Sequence, residues 1–364
     1  MIKDPHEEPI SPPQDDRTTF ERIVFALFET GEEVLFSMVN TLIGGHTGAG
    51  KSGVVNMLIR ALARIPTVAI IGIDLKPGAP ELGKWESVMH TLAKTPEEAH
   101  EVLDQLMLGL EYRGSIMARN KWRKWKVTRQ QPHIVLIVDE IQEAKKARLM
   151  GKIDSATAII RAYGGSVILA TQYPSKASVT ATIKSNCPQR IGLRTEGPVH
   201  DRVIFGENAT RAGWRSSEIH GDREGSFLIR SPRYKTPLLA RCFWLTDDEI
   251  DQEAEKWADV RTAIDTDTWS AKQIETSTPA IVNLDKESDT EPDIVDAVIV
   301  DDDPVERILR SLERGRTAVR DICEDAQVSS ATAYRKLRDL EAQGLVSSPR
   351  RGVWQSEREK VLVS

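Results

Sequence analysis

Gly45-His46-Thr47-Gly48-Ala49-Gly50-Lys51-Ser52 decides how this chain is read. The octapeptide fits G-x-x-x-x-G-K-[ST], a phosphate-binding loop. Leu42 and Ile43 close an apolar segment ahead of it, and Val54 to Ala63 has the spacing of an amphipathic helix behind it. The expected order is therefore strand, loop, helix. Glycines are required because the main chain must curl with its N–H groups turned toward a phosphate, and a β-carbon would obstruct several of those positions. The following helix adds the positive end of its dipole. Gly45, His46, Thr47, Gly48, Ala49, Gly50, Lys51 and Ser52 are the expected nucleotide-binding residues. Lys51 would reach the β- and γ-phosphates, and the Ser52 hydroxyl would hold Mg²⁺. ATP and Mg²⁺ are the expected cofactors.

Two further apolar runs end in chemistry. His133 to Val138 is a continuous apolar strand that runs into Asp139-Glu140. A metal-bound nucleotide needs one carboxylate near the metal and a second further out, beside the attacking water. Asp139 takes the first role and Glu140 the second. An adjacent Glu favours hydrolysis over a switch, where a glutamine commonly orients the water. Ser166 to Ala170 is another such strand, and Thr171-Gln172 follows it. Gln172 is the expected γ-phosphate sensor, acting through a water.

These runs, with Val68 to Ile73, are short, β-branched and nearly continuous, as in strands buried on both faces of a parallel sheet. Helical stretches lie between them. One opens at Thr95-Pro96-Glu97-Glu98, where Thr95 can cap, Pro96 suits the first turn and Glu98 completes a capping box. Alternating strands and helices predict an α/β fold over residues 18–275. Residues 1–17 carry Pro5, Pro9, Pro12 and Pro13 and predict a loose arm. Residues 276–303 predict a linker: Asp285 to Asp303 holds nine acidic residues and one basic, whereas the whole 364-residue chain has a net charge of only -6. Residues 304–364 are mildly basic, with twelve basic and nine acidic residues.

Cys187, Cys242 and Cys323 are far apart and form no CxxC pair, which suits a reducing cytoplasm and excludes a disulfide framework or zinc site. Asp4, Glu7 and Glu8 crowd the start, so no secretory leader is expected. The most apolar long stretch, Ile23 to Leu42, is broken by Glu29, Glu32 and Glu33, so no membrane span is expected. A cytoplasmic location follows, with any recruitment to a membrane made through a membrane-protein partner.

The last sixty residues read as a winged helix-turn-helix. Val305 to Leu312 and Thr317 to Ala326 predict two helices, and Ser329-Ser330 caps a third that runs to about Gln343. A hairpin-like basic segment, Ser348 to Trp354, follows. Ser330, Thr332, Tyr334, Arg335 and Lys336 would enter a major groove, and Arg350 and Arg351 would contact phosphates. A protein-docking role for the same module stays open. Arg119, Lys121, Arg123, Lys124, Lys126 and Arg129, with Trp122 and Trp125 between, either line a DNA path or form a solvated helix end with the tryptophans packed on the sheet.

Asp74-Leu75-Lys76, Ala170 to Ser175, Ile183 to Ile191 and Asp201 to Gly206 occur in this order and resemble the FtsK/SpoIIIE family of DNA translocases over roughly residues 33–232. The resemblance implies a RecA-like P-loop NTPase motor, a hexameric ring of identical subunits, and double-stranded DNA as the partner threaded through it. It also implies that an arginine from one subunit completes its neighbour's ATP site, with Arg190 and Arg202 as candidates. Tyr173 departs from the pattern, standing where the family usually has Arg. The chain is also similar to the short conjugative-plasmid transfer proteins of mycelial bacteria within that family. The expected activity is ATP-driven translocation of duplex DNA in plasmid or mobile-element transfer. A chromosome-partition motor of the same family and an ATP-switched DNA-binding regulator remain as alternatives.

Overall fold

The computed structural model describes residues 10–13, 18–270 and, toward the C-terminus, 308–309, 311–312, 317–325, 333, 336–338, 340–341, 346–350 and 353–356. The chain divides into two units, Met1–Thr278 and Pro279–Ser364. Ten strands of the first unit form one sheet: β1 Ile23–Phe28, β2 Glu33–Phe36, β3 Thr41–Gly44, β4 Val68–Ile73, β5 Thr91–Ala93, β6 His133–Val138, β7 Gly165–Thr171, β8 Gln189–Leu193, β9 Ser226–Arg230 and β10 Leu239–Cys242. The helices are α1 Lys51–Ala63, α2 Pro96–Arg119, α3 Ile141–Lys146, α4 Met150–Ile159, α5 Ala181–Asn186, α6 Pro198–Phe205, α7 Asp247–Ala258 and α8 Thr266–Trp269.

Spatial order in the sheet is β2-β1-β10-β9-β8-β3-β7-β6-β4-β5. From β8 to β5 every pairing is parallel, as the alternation of strands and helices predicts. The β7 strand lies between β3, which leads into the phosphate loop, and β6, which carries the acid pair. From β8 outward through β9, β10, β1 and β2 the pairings are antiparallel. This wing was not foreseen; it joins segments some two hundred residues apart, with Ala26 opposite Cys242.

Each central strand is buried on both faces, and its alternate side chains feed two cores. Val135 and Ile137 of β6 join the core that contains Val54, Leu58 and Leu62 of α1 and Ile250 of α7. Ile134, Leu136 and Val138 join the core that contains Leu103, Leu106 and Leu110 of α2 and Ile153 of α4. The result is three layers, with α1 and α7 on one face and α2, α3, α4 and α5 on the other. Helix α2 begins as expected: Thr95 Oγ1 accepts from the Glu98 N–H at 3.2 Å, Glu98 Oε2 accepts from the Thr95 N–H at 3.2 Å, and Pro96 opens the first turn.

Residues 10–13 fall in the expected loose arm, yet they are held. The Ile10 carbonyl accepts from the Trp244 N–H at 2.9 Å, Arg60 donates to the Pro13 carbonyl, and Pro12 is buried. A proline with a bonded carbonyl on either side behaves as part of the core's skin. Described helical residues of the second unit, among them Ile308, Leu309, Ile322, Ala333, Leu337 and Leu340, surround an apolar core with Val346 and Trp354. Strands Val346–Arg350 and Val353–Ser356 pair antiparallel as a hairpin after those helical residues.

Candidate nucleotide site

The C-terminal ends of β3, β4, β6 and β7 lie side by side, and each delivers a polar residue to one place. At the end of β3 the chain turns through Gly48 (φ 75°) and Gly50 (φ 90°) into α1. Both angles favour glycine. A Cβ on Gly50 would also lie 2.6 Å from the Gly225 Cα, so the loop can pack here only without a side chain. The Gly225 N–H donates to the Ala49 carbonyl at 3.0 Å, and the His46 N–H to the Arg194 carbonyl at 2.9 Å, which pins the loop to β8 and β9. Helix α1 has no acidic residue in its first turn, so its N-terminal partial charge faces the loop uncancelled.

Lys51, almost wholly buried, points across to β6. Its Nζ lies 2.5 Å from Asp139 Oδ1 and 3.3 Å from the Asp139 carbonyl oxygen. The other carboxylate oxygen, Oδ2, accepts from Lys76 Nζ at 2.9 Å. Asp139 is 0% exposed and holds two lysines at once. Burial would lower the Lys76 ammonium's pKa, but the charges of Asp139, Glu81 and Glu140 outweigh it and raise it, so Lys76 stays protonated. Asp74, at the end of β4, accepts from the Glu81 and Leu82 N–H groups at 3.0 and 3.1 Å. Burial, with the nearby Asp139 charge, raises its carboxyl pKa even so. Lys76 was missing from the residues expected at the site. The signal was available, since Asp74-Leu75-Lys76 follows a buried strand adjacent to β6.

Glu140 follows Asp139 and caps α3, with Oε1 accepting from the Gln142 N–H at 3.3 Å. Its Oε2 accepts from the Gln172 N–H at 2.8 Å, a link from β6 to β7. The Gln172 side chain in turn accepts through Oε1 from Thr47 Oγ1 of the phosphate loop at 3.2 Å. Lys51 with Asp139, and Thr47 with Gln172 and Glu140, therefore form two hydrogen-bonded groups joined by the Asp139–Glu140 peptide. Ser52, beside Lys51 in the first turn of α1, remains partly exposed.

The two arginines differ. Arg190 is spent inside its own chain: it donates to the carbonyls of Cys187 at 3.1 Å, Ile204 at 3.0 Å and Lys184. Burial, with Arg230 nearby, lowers the pKa of its guanidinium. Those donors tie α5, β8 and α6 together within the chain. Arg202, on α6, is 36% exposed and, among the described residues, has Glu207 at 3.9 Å as its one ion-pair partner. Asp201, beside it, is fully buried and fixes α6 by accepting from the hydroxyls of Thr195, Ser216 and Ser217.

The basic cluster lies between α2 and β6, at the sheet end opposite the nucleotide site. Trp125 is buried, with the Arg113 guanidinium 4.5 Å over its ring, and Lys126 covers Trp122 at 4.7 Å. Lys121, Arg123, Lys124 and Arg129 are exposed. Of the expected DNA-contacting residues, Ser330, Thr332, Tyr334, Arg335 and Arg351 lie outside the described residues. Lys336 is helical and half-buried, and Arg350 ends the first strand of the hairpin.

A parallel sheet with β7 between the phosphate-loop strand and the acid-bearing strand, and a lysine, two acids and a polar sensor at its C-terminal ends, defines an α/β P-loop NTPase. The FtsK/SpoIIIE family model matches residues 17–221, and the chain belongs to that family. The model for bacterial regulatory proteins of the arsR family matches residues 305–348. Curated relatives include the DNA translocase FtsK of Borreliella burgdorferi, 31% identical over 212 residues, which covers 51% of this chain and 27% of that protein. The DNA translocase FtsK of Leptospira interrogans is 25% identical over 242 residues, covering 61% and 25%. The chain thus spans about a quarter of the length of these two relatives. Among solved structures, the pCW3 conjugation coupling protein TcpA, in a monomer form with ATPγS, superimposes with a TM-score of 0.55 at 19% identity, over 69% of this chain and 75% of that one. The cytoplasmic domain of the Thermomonospora curvata type VII secretion ATPase EccC gives 0.53 at 18% identity, over 68% and 32%. Among the described residues no helix is long and apolar enough to cross a membrane.

Proposed function

We propose that this chain is an ATP-hydrolysing translocase of double-stranded DNA, acting as a hexameric ring in conjugative plasmid or mobile-element transfer. The observation that carries the hydrolytic part is the link Thr47–Gln172–Glu140 beside the buried Lys51–Asp139 pair. It ties the phosphate loop, the water-side acid and the strand between them into one unit. The curated relatives, which are DNA translocases, support DNA as the substrate, and the sequence similarity to short transfer proteins supports conjugation. The fold likeness to TcpA agrees in architecture alone.

The residues present fit Mg²⁺-ATP. Glycines allow the main chain to approach phosphates, Lys51 and the start of α1 supply positive charge, and Asp139 is a carboxylate poised for a cation. Among the described residues no group of three or more His, Cys, Asp or Glu is placed to hold a metal alone, so Ser52 and Asp139 would share Mg²⁺ with phosphate oxygens and water. Bound Mg²⁺-ATP supplies the phosphoanhydride to be cleaved. Lys51 exchanges Asp139 for phosphate oxygens, and Lys76 keeps hold of the Asp139 carboxylate. Glu140 takes the proton of the attacking water, and the Gln172 N–H fixes the carboxylate's orientation for that step. Arg202 reaches the neighbouring subunit's site.

The second unit reads DNA as a winged helix, with Ser330, Thr332, Tyr334, Arg335 and Lys336 toward bases and Arg350 and Arg351 on phosphates. The test is ATP turnover with and without linear duplex DNA. Wild-type turnover should rise with duplex, and Glu140→Gln should bind ATP without turning it over. Wild-type turnover in Glu140→Gln would remove the assignment of Glu140.

A further inference from the structure

Beyond the end of β10 the chain continues as Phe243-Trp244-Leu245. Phe243 and Leu245 are buried, whereas Trp244 between them is 45% exposed. Alternation along extended chain turns its indole outward. The main chain there is not frayed. The Phe243 N–H donates to the Phe25 carbonyl at 3.2 Å and the Trp244 N–H to the Ile10 carbonyl at 2.9 Å. Trp244 is the one exposed tryptophan among the described large hydrophobic side chains.

The indole stands over the first turn of α1. A Cβ built on Gly53 would touch its Cε3 and Cζ3 at 3.6 Å. Beside this contact a cleft of about 320 Å³ is lined by Gly50, Gly53, Glu224, Gly225, Phe243 and Trp244 among others. It is continuous with the phosphate loop, because Gly50 belongs to both. Its three glycines put no side chain into it. Lys51 and Ser52 define the β- and γ-phosphate end of a nucleotide, so the α-phosphate falls at the start of α1. What lies beyond the α-phosphate, on the Gly53 side, is the sugar and base.

We propose that Trp244 is the platform on which the purine base of the nucleotide stacks, with the adjoining cleft holding the ribose and base. The inference rests on the nucleotide-site reading and adds to it the base subsite. A flat, partly exposed indole held by a bonded main chain loses little freedom when a base covers it, and stacking of a base on an aromatic face is tolerant of base identity. ATP and GTP should therefore both use it, and an inorganic triphosphate should not.

The experiment measures binding of Mg²⁺-ATP and of Mg²⁺-tripolyphosphate to the full-length wild type, Trp244→Ala, Trp244→Phe and Lys51→Ala by calorimetry. The inference expects Trp244→Ala to weaken ATP by about tenfold, from the typical worth of one base–aromatic stack. Tripolyphosphate affinity should stay unchanged, and Trp244→Phe should recover most of the ATP affinity. The unchanged tripolyphosphate affinity also shows that the variant is folded at its phosphate loop. ATP should in addition quench the wild-type fluorescence by an amount that is absent in Trp244→Phe. Equal losses for both ligands would make Trp244 a structural support of the loop and overturn the inference, as would no loss for either. Loss of both ligands in Lys51→Ala is the separate check on the phosphate site; a wild type that binds neither would overturn that site and the base subsite with it.

Discussion

Asp139 holds two lysines, and that geometry predicts a coupled energetic response. In Lys51→Ala the carboxylate keeps Lys76 at 2.9 Å; in Lys76→Ala it keeps Lys51 at 2.5 Å. Each single change removes one charge-assisted bond but leaves the buried charge compensated, so each should cost about 1 kcal/mol, below the usual range for a hydrogen bond to a charged group. The double change leaves a fully buried carboxylate without a cation, beside Asp74, whose burial already raises its pKa. That orphaned charge should cost about 3–5 kcal/mol. The pair should therefore show a coupling of about 1–3 kcal/mol. Urea unfolding in nucleotide-free, Mg²⁺-free buffer, followed by tryptophan fluorescence, measures it; seven of the eight tryptophans lie in the first unit. Costs that simply add would show that the two lysines do not share the carboxylate.

Three other predictions use separate parts of the molecule. Mixing Arg202→Ala subunits into wild type should depress ATP turnover more than dilution does, whereas Arg190→Ala, which frees three carbonyls of its own chain, should lower the melting temperature; strictly proportional mixing curves for Arg202→Ala would exclude a role in trans. Deleting residues 304–364 should leave ATP turnover near wild type and abolish preference among duplex sequences at fixed salt, and unchanged preference would place recognition elsewhere. Burial pushes the His133 and His90 imidazoles down to about 3 and about 4, so between pH 6.5 and 4 the unfolded chain binds protons the folded chain cannot. Stability should therefore fall on acidification through that window by up to about 1.4 kcal/mol per pH unit for each histidine. His133→Gln should flatten the slope measured by urea unfolding between pH 6.5 and 5, and an unchanged slope would reject the attribution.

The phosphate loop, its flanking strand and helix, and the three central strands were legible because each is local: a short motif, or an apolar run bounded by polar residues. The Thr95 capping box was legible for the same reason. The antiparallel wing was not, since β1 and β10 are ordinary short strands whose pairing depends on partners two hundred residues away. The acid pair and Gln172 are each legible singly, but the bonds that join Gln172 to Glu140 on one side and to Thr47 on the other depend on β7 lying between β3 and β6, which no local pattern states. Lys76 has no local signature of its own, because its meaning lies in reaching the other oxygen of Asp139. Arg190 shows the opposite case. Its place in the motif suggests a contact across subunits, whereas its bonds to three carbonyls of its own chain depend on how α5, β8 and α6 pack.

Displacement of a third strand from duplex DNA tests the central claim most directly. A motor that moves along duplex strips a short triplex-forming strand placed ahead of it. Wild-type protein with Mg²⁺-ATP should displace that strand in proportion to ATP consumed, while Glu140→Gln should bind the same DNA and displace none. ATP hydrolysis stimulated by duplex without any displacement, or displacement that proceeds equally with Glu140→Gln, would contradict the account.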